Sequence, residues 1–88
     1  MSFDDAKALA AEFVASLGSA TGVAFALFAE KSIEVDEGWI FFYNSKEYIE
    51  TGVFEFALVG NGPIFVDRSG GVRSLPSGTR WEEAIGRS

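Results

Sequence analysis

The chain has no cysteine and no histidine. Without cysteine there is no disulfide, no thiol nucleophile and no thiolate zinc site. Without histidine there is no imidazole base titrating near neutral pH. Proline is scarce, with two residues, and there is a single methionine. Basic residues number 7 against 13 acids, a net charge of -6. That balance repels phosphate and disfavours nucleic acid as a partner. It suits a basic protein partner, although acidity also serves solubility alone. No run approaches the roughly 18 apolar residues that span a membrane. Asp4 and Asp5 stand where a secretion signal would be basic, and Glu12 interrupts the apolar pattern. The expectation is a cytoplasmic, soluble protein, consistent with the missing cysteine.

What is present is apolar and aromatic: 48% hydrophobic, 15% aromatic and nine phenylalanines in 88 residues. A chain of that length makes one domain, residues 1–88, and buries roughly 60–65% of the surface its unfolded form exposes. Stability must then come from packing alone. Ser2 and Asp5 form a capping-box pair, and Phe3, Ala6, Ala10, Phe13 and Leu17 recur at three- and four-residue steps. This predicts a helix over Phe3–Leu17, with Gly18 as its stop. Val23–Phe28 reads as a buried strand. A second strand is expected over 33–44, with Gly38 as a bulge or kink. In Trp39–Tyr43, Ile40 and Phe42 face one way and Trp39, Phe41 and Tyr43 the other. A segment apolar on both faces belongs in the middle of a sheet, and the last helix is expected to cover the Trp39 side.

Residues 46–50 read as a charged connection with Tyr48 and Ile49 turned inward. The spacing of Phe54, Phe56, Ala57 and Leu58 fits helix and strand alike, and a short helical turn is favoured. Gly60-Asn61-Gly62-Pro63 breaks the chain. Pro63–Asp67 and Val72–Leu75 form a hairpin across Arg68-Ser69-Gly70-Gly71. Thr79 and Glu82 suggest a second capping box before a short helix near 80–86. The fold class is α+β: an N-terminal helix on a roughly four-stranded antiparallel sheet, with a short C-terminal helix. Phe13, Leu17, Phe25, Leu27, Ile40, Phe42, Ile64, Val66 and Leu75 make up the expected core.

The search for chemistry ends on binding. Serines have no histidine to activate them, and Lys7, Lys31 and Lys46 lie in charged contexts. Asp36, Glu37, Glu47 and Glu50 could supply a pair of catalytic carboxylates, but so small a sheet leaves little room for a cleft. Asp4-Asp5 and Asp36-Glu37 lack the alternating acids of a calcium loop. Gly60-Asn61-Gly62-Pro63 lacks the lysine and following helix of a phosphate cradle. No catalytic residue, cofactor or metal is therefore expected. The residues placed at a partner surface are Glu34, Asp36, Glu37, Glu47 and Glu50, with Trp39 as an apolar anchor left partly exposed beside Gly38.

Several blocks, in order, resemble the immunity protein 35 family, also called YrhB-like. They are Gly38-Trp39, Phe42-Tyr43, Tyr48–Gly52, Gly60-Asn61-Gly62-Pro63-Ile64, Val66-Asp67 and the ending Leu75–Glu83. The Glu50-Thr51-Gly52 turn and the Gly-Asn-Gly-Pro-Ile block are the most specific. The family often has a proline and lysine near the start of its last helix, where this chain has Pro76-Ser77-Gly78-Thr79-Arg80. The resemblance implies a non-enzymatic bacterial protein that binds and neutralises a cognate toxin. A small chaperone-like or general protein-interaction domain is the alternative.

Overall fold

Nineteen residues after Ser2 form the first helix, α1 (Phe3–Thr21), in a computed structural model that describes residues 1–57 and 62–86. The Ser2–Asp5 capping box forms as the sequence indicates, its hydroxyl accepting from the Asp5 N–H and its own N–H reaching the Asp5 carboxylate at 3.1 Å. The Ser2 N–H first, and the nearby Ser2 hydroxyl next, hold the Asp5 carboxyl below its ordinary pKa. The helix does not stop at Gly18. It runs one turn further and ends on Gly22 at φ 78°, a left-handed cap that glycine takes without a Cβ penalty. Gly18 instead lies on the buried face, where a Cβ would sit 2.6 Å from the Val23 carbonyl oxygen. With Ala6, Ala10 and Val14 it makes a row of small residues at four-residue spacing, and that row sets the helix close against the strands.

Six strands follow among the described residues: β1 (Phe25–Leu27), β2 (Ile33–Val35), β3 (Gly38–Phe41), β4 (Tyr43–Ser45), β5 (Ile64–Asp67) and β6 (Val72–Ser74). All pairings are antiparallel, in the orders β1-β4 and β2-β3-β5-β6. The expected strand over 33–44 is instead a tight hairpin. The chain reverses at Asp36-Glu37, so that Val35 faces Gly38 and Ile33 faces Ile40. The same two arms continue outward, β1 against β4, with the Phe28 N–H still bonded to the Phe42 carbonyl at 2.8 Å. A single 3₁₀ turn, Ala29–Lys31, is inserted in the first arm and shifts its register. The β1–β4 and β2–β3 pairings are thus one long, interrupted hairpin, and β3 in its second arm also pairs with β5.

The β5–β6 hairpin has the expected place, with Ile64 opposite Ser74 and Val66 opposite Val72. Its turn is organised by Asp67, whose carboxylate accepts from the Ser69 hydroxyl at 2.7 Å and from the Ser69 and Gly71 N–H groups at 2.9 Å. The Ser69 hydroxyl first, and the Gly71 N–H next, hold the Asp67 carboxyl below its ordinary pKa.

β3 is buried at all four residues, as a central strand covered on both sides must be. The covering differs from expectation. The Trp39, Phe41, Ile64 and Val66 side packs on Ala6, Ala10 and Val14 of α1. The Ile40, Phe65 and Leu75 side is covered by Trp81, Ala84 and Ile85, around the last helix, α3 (Trp81–Ala84). The long helix with small residues can approach the side bearing the two largest rings, so the short helix serves the other. Of the expected core, Ile40, Ile64, Val66 and Leu75 are buried, while Phe13, Leu17, Phe25, Leu27 and Phe42 are only half-buried. The capping box at Thr79 does not form. α3 begins one residue later, capped by Arg80 without a side-chain bond, and Arg80 pairs with Glu82 at 2.9 Å.

Candidate functional site

The acidic residues named from the sequence fall at the two ends of the long hairpin arm. Glu34, Asp36 and Glu37 lie at the β2–β3 turn. Glu47 and Glu50 lie on α2 (Lys46–Thr51), the six-residue helix that follows β4. The eight steps from Glu37 to Ser45 span up to about 26 Å at ~3.3 Å per residue. One continuous acidic face is therefore replaced by two separate acidic ends.

At the turn, the organising residue is one that sequence reasoning missed. Arg68 reaches from the β5–β6 hairpin, donating to the Asp36 carbonyl at 3.2 Å, to the Val35 carbonyl and to the Glu34 carboxylate at 3.1 Å. Its guanidinium lies 4.2 Å from the centre of the Trp39 ring. The backbone adds a bond from the Arg68 N–H to the Glu37 carbonyl at 3.2 Å. Trp39 itself is 1% exposed and part of the α1-facing core, so it is no surface anchor. Arg68 above and α1 below enclose it, and its buried Nε1–H has no hydrogen-bond partner among the described residues. The Arg68–Glu34 pair is half-exposed and adds little on its own. The stacked guanidinium and its two carbonyl bonds hold the turn. Arg68→Ala is expected to lower stability by about 1–3 kcal/mol in urea unfolding, and Arg68→Lys by nearly as much. An ammonium keeps the charge but loses the planar stack and the fork of donors. A lysine variant as stable as the parent would show that charge alone matters there.

At the other end, residues 46–51 are a true helix. Ser45 is its cap, its hydroxyl accepting from the Tyr48 N–H at 3.1 Å, while the Asn44 side chain accepts from the Ser45 N–H at 2.8 Å. Tyr48 and Ile49 turn inward as the sequence indicates, and the Tyr48 ring meets Phe28 edge-on at 6.2 Å. Lys46, Glu47 and Glu50 are exposed, with Lys46 and Glu50 3.9 Å apart. The favoured helical turn appears as a 3₁₀ turn, Phe54–Phe56. Phe54 is 76% exposed, the most open large hydrophobic in the described structure, with Val53 beside it also exposed. Local spacing held no signal for this, because the pattern around Phe54 fits either face. Leu58 and the first part of the Gly60-Asn61-Gly62-Pro63 break lie outside the described residues.

A surface hollow of about 500 Å³ lies between the end of α1 and the start of α2, lined by Gly18, Gly22, Val23, Phe25 and Lys46 among others. A second, of about 390 Å³, lies between α1 and β1 and is lined by Lys7, Val14, Phe25 and Leu27. Neither brings acids and bases together. Among the described residues no group of three carboxylates could hold a metal ion, and no helix is long and apolar enough to cross a membrane.

Fold and surface together define a small acidic α+β domain whose carboxylates and open aromatic ring suit contact with another macromolecule. The chain belongs to the immunity protein 35 family, whose profile matches residues 4–85. It is also 38% identical over 50 residues to the uncharacterized protein YrhB of Escherichia coli strain K12, a match covering 56% of this chain and 53% of that protein. The chain thus spans about half the length of that relative. No solved structure matches it significantly.

Proposed function

We propose that the chain is a non-enzymatic immunity protein that binds a cognate bacterial toxin domain and blocks it in the cytoplasm. The observation that carries this reading is the family match across nearly the whole domain. The net charge of -6 supports a basic partner, since toxins that act on nucleic acid or other anions carry basic surfaces. Carboxylates at both ends of the hairpin, Glu34, Asp36 and Glu37 at one and Glu47 and Glu50 at the other, would draw such a partner in by steering. Trp39, being enclosed, takes no part.

Co-expression with the toxin domain encoded in the adjoining reading frame tests the function. Growth is expected with this chain present and arrest without it. A toxin that still kills beside a soluble, folded chain overturns the reading, as does the lack of any effector in the adjoining frames. Steering has its own measurement. Reversing Asp36 and Glu37 to lysine is expected to slow association several-fold at low ionic strength, the difference shrinking as salt rises. An unchanged stopped-flow rate at low salt, with the fold intact by circular dichroism, removes the turn from the binding account.

A further inference from the structure

We infer that the partner is gripped at the α2 end, with Phe54 as the apolar anchor and Glu47, Glu50 and Glu55 as the charged surround. The inference rests on the proposed toxin-binding role and names its contact face. Three observations carry it. Phe54 is 76% exposed and Val53 beside it is open, whereas the other described aromatic rings, Phe3 apart, are buried or half-buried. The exposed ring stands on a built support. α2 is capped by Ser45, and Thr51 ties its end to the next turn, donating to the Glu47 carbonyl at 2.7 Å and accepting from the Val53 N–H at 3.2 Å. The stretch is acidic on balance: over residues 46–55 Glu47, Glu50 and Glu55 are exposed against one base, Lys46, which lies 3.9 Å from Glu50.

The β2–β3 turn offers a contrast. It has carboxylates but no exposed ring, its one large ring being enclosed beneath Arg68. It can steer a partner but has nothing to insert. Strong contacts at interfaces centre on a large side chain entering a pocket, ringed by groups that exclude water. Phe3 is also open beside Asp4 and Asp5, but it is 39% exposed and its ring lies against the buried Phe41, whereas Phe54 at 76% is the most open ring among the described residues and has three exposed glutamates near it in the chain. The occupant that fits is a protein surface bearing an apolar pocket rimmed by lysine or arginine. Glu47 and Glu50, three residues apart, share one helix face and would meet two such cations.

The test uses the full chain and the adjoining toxin domain. Phe54→Ala is expected to weaken binding by about 30-fold or more. Glu50→Lys with Glu55→Lys should weaken it further in low salt than in high. Both variants should unfold at the parent's midpoint, because these side chains are exposed. If the parent binds and protects but the variants bind equally well, this contact face is wrong while the toxin-binding role stands. If the parent itself does not bind, the role fails first. A parent that dimerises in sedimentation, and becomes monomeric as Phe54→Glu, would assign the ring to a second copy and overturn the inference.

Discussion

Phe41→Ala is expected to cost about 3–5 kcal/mol, and Phe42→Ala, one residue on, about half as much. Phe41 is fully buried, in the cluster that joins Ala6, Ala10 and Val14 of α1 to Trp39, Ile64 and Val66 of the sheet. Its ring centre lies 5.7 Å from that of Phe3, which is itself open to solvent. Phe3 could follow a collapsing cavity only in part, so most of the removed volume stays empty. Phe42 is half-buried at the edge of the other cluster, with water already on one side. A domain of 88 residues has about 4–13 kcal/mol to lose. The Phe41 variant should therefore be close to unfolding, and the Phe42 variant folded. Urea midpoints decide between them. A larger loss at Phe42 than at Phe41 would mean that the two rings exchange faces.

That pair shows how far local pattern reaches. Alternation along Trp39–Tyr43 was legible, and so was the need to cover both sides. Which side each helix would cover was not, because both sides are apolar and the choice is made by α1, whose small residues admit a close approach. The spacing at Phe54 fits helix and strand alike, while the α1 stripe and the β5–β6 hairpin follow from spacing and from turn residues near one another in the chain. The β2–β3 reversal does not. Asp36-Glu37 carries no glycine, asparagine or proline, and Gly38 just after it reads as a bulge. The bonds that hold the reversal come from Arg68, more than thirty residues away. Helix α2 is a single capped turn and a half, too short for periodicity to declare itself. The acidic residues proposed to meet a partner were chosen by type alone. Their division between two ends, the enclosure of Trp39 and the exposure of Phe54 all depend on where the hairpin bends.

Gly38→Ala is expected to be a severely damaging single methyl group, at about 3–5 kcal/mol or the loss of soluble protein. A Cβ at Gly38 would overlap the Val66 carbonyl oxygen and lie 2.8 Å from the Asp67 Cα. Both are backbone atoms of β5, the neighbouring central strand, so no side chain can swing aside. Relief requires β3 and β5 to part where Gly38 faces Asp67, and that movement would carry away the turn that Arg68 holds and loosen its stack on Trp39. The damage should therefore appear in two readouts: a lower unfolding midpoint, and tryptophan emission shifted to the red as Trp39 meets water. Gly78→Ala is the control, since a Cβ there meets nothing within 4 Å and should change stability by less than about 0.5 kcal/mol. A Gly38 variant as stable as the Gly78 variant, with unshifted emission, would show that β3 does not lie against β5 as described, and the placement of the acidic turn would fall with it.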